Sequence, residues 1–593
     1  MKTALKTILI INILLLPALT YAAAQTYYVT QKGAGQRTGK GLADAWSVSD
    51  FNSSSNWSMT DHTNKIDPGD TVYFSGTITS RVKPPEGYGG SSGNWVTLDG
   101  WEGGTCDPVA NSGCASAAVI DRESRQTGVS DYCFYIVDVS YLIVQDFVMQ
   151  DSGGGLWAAG PSSGVQSTHI TVRRNYIKNM EGKGIQITAH WEDPWLGYDY
   201  VTVGGALGDG NYIYDTEEQG KTGQTDSHGL GVANSSDVIV SYNKIEWSWQ
   251  DNDDSSNGIS IHTGDRQLVE YNTVIRPQGQ ACIALKEYGG NQKIVRFNKT
   301  SECGQQGGVA VITGQADQTN IYIYGNLIFN SAGGVFLYRN YDEIHIWSNV
   351  IHNIRPEAVT GQGGYAIDIS GEDIYTQGDV YVYNNTVSRA DMAGEKTKSS
   401  GISIAGGSKQ KVRVKNNILY YNNSDDADVQ LYVAKGDDAN LVSLEHNTYF
   451  SDDIAKVYYF GMNRNIANLK SNYKMEDDPP QGEDSDPGFI DPDGADNIHG
   501  TIDDDYRLNG TNIDNGENLS RCFNVTIQGN VYSICYNDAL DPDITNWSTA
   551  PPTVGTTKQQ YYGSWDRGAY VYTGKGKRSS AQLVAPRSLR IAD

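Results

Sequence analysis

One asparagine, returning at short and irregular intervals, limits what this chain can fold into more than any other feature. After Asn243 it recurs at intervals of 29, 26, 28, 23, 36, 32 and 30 residues. Between Val238 and Asn340 the same phrase is written four times: VIVSYNKI…GISIHTG, LVEYNTVI…CIALKEYG, IVRFNKTS…GVAVITG and IYIYGNLI…GVFLYRN. Each copy has a short alternating strand, the Asn, an apolar pair, a glycine-rich turn and a second short strand. A unit this small cannot bury its apolar face alone, so it must stack on its neighbours. The aligned positions are Asn175, Asn243, Asn272, Asn298, Asn326, Asn349, Asn385, Asn417 and Asn447. The gap of 68 residues before Asn243 hides a further coil near Asn211, and Asp146 takes the same place one coil earlier. With NWVTLDG near Trp95, the alignment implies roughly ten to twelve coils. Stacked amides can hydrogen-bond along such an axis. Asn also tolerates the left-handed backbone of a tight turn.

Composition agrees with an all-β chain rich in turns: 66 Gly and 38 Tyr, with no long helical runs. Residues 1–24 read as a secretory signal peptide, with Lys2 and Lys6 before an apolar run and cleavage near Ala24. A secreted protein, extracellular or periplasmic, is expected. Residues 25–75 read as an N-terminal strand and cap, with a short helix from Ala43 to Phe51. The repeats occupy 76–450, a closing region 451–574 ends on the strand Trp565 to Tyr572, and a flexible basic tail covers 575–593. The formal charge is −25, and the leader holds two lysines and no acid, so the mature chain stands at −27. Such a surface repels nucleic acid and anionic membranes, and no later segment is long enough to span a bilayer. A monomer is expected. Of seven cysteines, Cys106 and Cys114 suit a loop clip and Cys522 with Cys535 a hairpin. Cys282 and Cys303 either pair or are simply buried, and Cys133 is left over.

The stretch DPGFIDP…DDYRL…IDNGEN…WDRGAY resembles the closing segment common among secreted bacterial right-handed parallel β-helix proteins, the pectin-lyase-like fold. The Asn repeat resembles that superfamily's coil, and together the two cover nearly all of the mature chain. The resemblance implies an all-β, right-handed parallel β-helix and leaves the activity open.

Equivalent positions of stacked coils lie about 4.8 Å apart, so the second strands can be aligned: GIQIT (184–188), GLGVA (229–233), GISIH (258–262), CIALK (282–286), GVAVI (308–312), GVFLY (334–338), AIDIS (366–370) and GISIA (401–405). Their second and fourth residues are apolar and point inward, so the third and fifth point to solvent. The fifth column then holds His262, Lys286 and Tyr338, and the third holds Ser260, Phe336 and Asp368. Arg339 and Glu287 follow these strands, and Asp226 and His228 precede them. Trp191, Trp195, Trp247 and Trp249 flank the same coils, as loop packing or as sugar-stacking platforms. Asp251, Asp253 and Asp254 offer the hard oxygens that calcium takes; no cofactor is otherwise required.

Such a set fits two chemistries. In β-elimination from a uronic-acid polysaccharide, Lys286 or His262 would be the base, Arg339 would neutralise the carboxylate and Tyr338 would donate a proton. His228, Asp226, Glu287, Asp368, Trp191 and Trp249 would bind substrate. CIALKEYG is similar to the catalytic-lysine strand of β-helical lyases of the chondroitinase B and alginate lyase type, although the Arg that follows one coil later in those enzymes is replaced by Ile312 and Thr313. In glycoside hydrolysis, Asp226, Asp253 and Asp254 would supply the paired carboxyls. QTDSHG (224–229) and DNDD (251–254) resemble polygalacturonase motifs, without the GHG and RIK elements that follow them in that family. A carbohydrate-binding or adhesin solenoid needs no active site and is the non-enzymatic alternative. The sequence favours a polysaccharide lyase.

Overall fold

Each repeat supplies three short strands because two turns interrupt it, one at the asparagine and one at the glycine. The computed structural model describes residues 24–572 apart from 61–63, 111–113, 124–130, 163, 165, 190–195, 217–227, 249–255, 278, 287–288, 305, 356–363, 371–377, 391–399, 406–410, 423–428, 435–440, 452–455, 460–461, 474–485, 499–500, 510–515 and 560–564. The signal peptide and the basic tail expected from the sequence thus fall essentially outside the described residues. A first sheet is built from strands before the asparagine, such as Val238–Ser241, Gln267–Glu270 and Gly290–Arg296. A second is built from those after it, such as Lys244–Glu246, Thr273–Ile275 and Lys299–Ser301. A third, the floor sheet, holds Asn257–Ile261, Ala281–Lys286 and their equivalents. Strands of each sheet pair in parallel with the next coil, and 37 strands join in one continuous ladder system. This is a right-handed parallel β-helix, with about twelve complete coils among the described residues.

The interior is apolar. Val238, Val240, Ile245, Ile259 and Ile261 are all buried in one coil, and each such side chain contributes roughly 1.5–3 kcal/mol. The asparagines form an unbroken ladder from Asn175 through Asn211 to Asn447. Asn243 Nδ2 donates to Asn272 Oδ1 at 3.0 Å, and Asn272 Nδ2 to Asn298 Oδ1 at 3.0 Å. The hidden coil at Asn211 is real, since its Nδ2 donates to Asn243 Oδ1 at 2.9 Å. Two details differ from expectation. The left-handed residue is the one before the asparagine, as at Tyr242 (φ 61°), Tyr271 (φ 55°) and Phe297 (φ 57°). The asparagine instead folds its amide over that turn, so that Asn272 Nδ2 also reaches Val240 O at 2.9 Å and Glu270 O at 3.0 Å. Asp146 is not the ladder residue of its coil either. Register places Phe147 opposite Asn175, because Gln145 pairs with Arg173. Asp146 is a buried partner of Arg174 at 2.8 Å.

The glycine that opens most floor strands is there for lack of space. A Cβ on Gly258 would lie 2.3 Å from Val274 Cγ1, and one on Gly308 2.5 Å from Ile328 Cγ2. At these rungs the corner between the second and floor sheets is therefore too tight for a side chain directed inward. In that column Ala366 and Cys282 are exceptions, and the Cys282 sulfur is taken up in a disulfide with Cys303. Cys106–Cys114 and Cys522–Cys535 are also bonded, and Cys133 is free and buried.

The expected helix over Ala43–Phe51 is broken. A 3-10 turn at Leu42–Asp44 and one α-turn at Val48–Phe51 flank the strand Trp46–Ser47, which pairs with Val29 and Thr30. At the other end, Trp565–Tyr572 is not a strand. It makes isolated bridges, Gly516 to Trp565 and Leu540 to Tyr570. Residues beyond Gly516 run back along the outside of the first sheet. Gln528 Nε2 donates to Asp237 O at 2.8 Å, Asn384 Nδ2 to Tyr536 O at 3.1 Å, and Gly568 N to Asn416 O at 2.7 Å. Leu268, Ile294, Tyr322, Trp347, Tyr532, Ile534, Tyr536 and Leu540 share one apolar cluster there. Within it His345 stacks between Tyr322 and Tyr381 and is hydrogen-bonded to the Tyr536 hydroxyl. From about Asp237 to Asn416 the first sheet is thus covered on both faces, and the outer face of the floor sheet carries the candidate residues.

Candidate functional site

The expected floor register holds residue for residue. Ile259 pairs with Ile283, Ser260 with Ala284 and Ile261 with Leu285. Lys286 lies beside Ile312, Ile312 beside Tyr338 and Tyr338 beside Ser370. His262 and Lys286 therefore occupy successive rungs of one outward column. His262 leans back along its own strand, and its Nε2 lies 2.8 Å from Ser260 Oγ. Its ring centre is 5.9 Å from that of His228, which reaches over from the start of the preceding rung. Lys286 also folds back across the floor, donating from Nζ to Gln280 Oε1 at 2.8 Å. Nothing in the repeat pattern singles out Gln280, which belongs to the loop before the strand.

The third column is not open to solvent as alternation implied. Ser260, Ala284 and Ala310 are 0% exposed although they face away from the core. Ala281, Ala284 and Ala310 pack there in a small apolar cluster with Ile312 and Phe336. This apolar strip separates two polar groups. On one side stand His228, Ser260, His262 and Lys286. On the other stand Tyr338, Arg339, Asp368 and Ser370, with Tyr338 two rungs, about 10 Å, beyond Lys286. The Arg339 guanidinium lies over the Tyr338 ring, 4.8 Å from its centre, and Tyr338 stacks on Phe336 at 5.8 Å.

Asp368 pairs in register with Phe336 on one side and Ser403 on the other. Burial pushes its carboxyl up to about 6, opposed by hydrogen bonds from Ser370, at 3.0 Å, and Ser403. Between about pH 4 and 6 the folded protein therefore holds a proton on Asp368 that the unfolded chain releases. Its contribution to stability declines as pH rises through that window and is constant above it. Urea midpoints measured from pH 4 to 7 should fall less steeply with pH in Asp368→Asn than in the parent, where Asp70 and Asp566, each raised by burial to about 7, add to the slope. An unchanged slope in the variant would remove Asp368 as one of its sources.

Asp226, Glu287, Trp191, Trp195, Trp249, Asp251, Asp253 and Asp254 lie outside the described residues. Among the described residues no group of three or more His, Cys, Asp or Glu is placed to hold a metal ion. Trp247 is fully buried in the core, so it packs the interior and is no sugar platform. Aromatic groups that spacing did not reveal do face outward on the floor sheet. Tyr135 and Trp157 stack at 4.6 Å near its first rungs, and Tyr432 and Tyr458 at 4.7 Å near its last.

No protein-family model and no curated protein sequence matches the chain. Solved structures of similar shape include the GH136 lacto-N-biosidase from Eubacterium ramulus, 12% identical, covering 66% of this chain and 68% of that one with a TM-score of 0.41. Pectate lyase Pel9A is 14% identical over 65% of this chain and 80% of that one, TM-score 0.37. PfbA, a surface adhesin of Streptococcus pneumoniae, is 12% identical over 58% and 86%, TM-score 0.31. Similarity at this level does not bear on the chemistry. No helix among the described residues is long and apolar enough to cross a membrane.

Proposed function

We propose that this chain is a secreted enzyme, acting as a monomer, that cleaves a polysaccharide by β-elimination at a uronic-acid unit. One observation carries the reading: His262 and Lys286 stand on successive rungs of one outward column, with His228 ring-to-ring with His262 at 5.9 Å. Elimination needs a base at the proton α to the carboxylate, positive charge to hold the carboxylate as electron density moves onto it, and an acid for the departing oxygen. His262 or Lys286 takes the proton, and a cation of the same face, with Arg339 as the distal member, neutralises the carboxylate. As the C–O bond breaks, Tyr338 donates a proton to the leaving oxygen. Calcium bound by Asp251, Asp253 and Asp254 would strengthen the neutralisation; Asp226, Glu287, Trp191 and Trp249 would line the sugar path.

Hydrolysis is the second reading, favoured by Asp368, whose raised carboxyl suits a general acid. Digestion of uronic-acid and neutral polysaccharides separates the two. New ultraviolet-absorbing unsaturated ends are expected; new reducing ends without absorbance would replace elimination by hydrolysis. Binding without cleavage would leave the adhesin reading and sink both.

A further inference from the structure

We infer that the first rungs of the floor sheet form a subsite for the anionic group of an acidic sugar, built from Arg81, Lys83 and Tyr135 beside Trp157. This rests on the polysaccharide-cleaving reading and extends it to a place where the acidic character of the substrate is recognised away from the reacting bond.

The segment is built rather than loose. Val82 bridges Phe134 in parallel, its N–H donating to Cys133 O at 3.0 Å while Tyr135 N donates back to Val82 O at 3.0 Å. Asn52 clamps both flanking residues, donating from Nδ2 to Arg81 O at 3.0 Å and accepting from Lys83 N at 2.8 Å. The two cations are thereby held over one ring. Arg81 Cζ is 5.3 Å and Lys83 Nζ 5.5 Å from the centre of Tyr135. Trp157 stacks on Tyr135 on the next rung.

Two like charges gathered at one ring repel each other unless anions compensate them, and the compensation here is weak. Asp131, the carboxylate nearest Arg81 at 3.9 Å, is already gripped by Arg122 at 2.8 Å and 3.2 Å. Glu86 meets Lys83 at 3.4 Å, but that pair is largely in solvent, where ion pairs add little. Arg81 Nε is buried and has no hydrogen-bond partner. A carboxylate or sulfate arriving over Tyr135 would meet the part-exposed end of the Arg81 guanidinium and the Lys83 ammonium and offset their mutual repulsion. The ring and Trp157 provide apolar contact for the sugar that carries it. In a mature chain of charge −27 this patch is a local exception. It sits four rungs before Ser260 in the third column, about 19 Å along the axis, so one extended chain would reach both places.

Affinity electrophoresis of the mature protein tests this, in gels containing polygalacturonate, alginate, hyaluronan, dextran sulfate or neutral dextran. At low salt at least one acidic polymer should retard the parent and neutral dextran should not. The retarding polymers separate carboxylate from sulfate recognition. Arg81→Gln/Lys83→Gln should bind that polymer at least about tenfold more weakly, whereas loss of an exposed lysine elsewhere, Lys411→Gln, should leave binding as in the parent. Should the double variant lose its parental thermal midpoint, Lys83→Gln alone serves, since that side chain is largely in solvent. Parental affinity in the folded variant would overturn the subsite while cleavage by the parent left the proposed function standing. Equal retardation by neutral dextran would also overturn it. A parent that neither binds nor cleaves any polymer would overturn both.

Discussion

Replacing Lys286 or His262 by Ala is expected to lower turnover by roughly 10²–10⁴-fold, the usual worth of a positioned acid or base. Both side chains project from the outer face of strands held by their inward neighbours, Ile261 and Leu285, which are fully buried. Truncating them removes a surface hydrogen bond, Lys286 to Gln280 or His262 to Ser260, and leaves the core intact. The loss should therefore appear in kcat with little change in the urea midpoint. Gln280→Ala offers an internal control, because it removes one hydrogen bond from the Lys286 ammonium without deleting the side chain and should shift the pH profile rather than abolish the rate. If both Ala variants turn over at parental rates on a polymer the parent cleaves, the base lies elsewhere.

The second large effect is structural. Asn298→Ala should destabilise the solenoid by about 3–5 kcal/mol, since it leaves several buried polar groups unpaired at once. Asn298 Nδ2 donates to Asn326 Oδ1 at 3.0 Å, Val269 O at 3.0 Å and Arg296 O at 2.9 Å. Its Oδ1 accepts from Asn272 N and Nδ2, each at 3.0 Å. No water reaches this position, as Asn298 is fully buried. Because coils contact only their neighbours, the damage should be local. Hydrogen exchange should accelerate in the strands around Gln267–Glu270 and Leu327–Phe329 before distant ones. A loss below about 1 kcal/mol, with unchanged exchange, would mean that the ladder is dispensable.

Much of this was legible from spacing. The recurring Asn, the coil hidden at Asn211 and the floor register from Gly184 to Ala405 all follow from two periods, the coil and the alternating strand. Period alone could not place Asp146. A one-residue offset is invisible there until pairing of Gln145 with Arg173 puts Phe147 in the ladder position. Nor did it reveal what covers the first sheet, although a hint was present. The outward column Ile239, Leu268, Ile294, Tyr322 is apolar, as expected of a sheet buried on both faces. The return of the chain beyond Gly516 provides that cover.

Local sequence, then, determined the parallel β-helix, the inward columns and the adjacency of His262 and Lys286, because a stacked repeat carries position along the chain directly into position along the axis. Only the tertiary structure decided that Ser260, Ala284 and Ala310 lie shielded although they face away from the core, that Tyr338, Arg339 and Asp368 stand beyond an apolar strip, and that Arg81 and Lys83 meet over Tyr135. Those arrangements depend on where loops and side chains outside the repeat come to rest, and no periodicity encodes that.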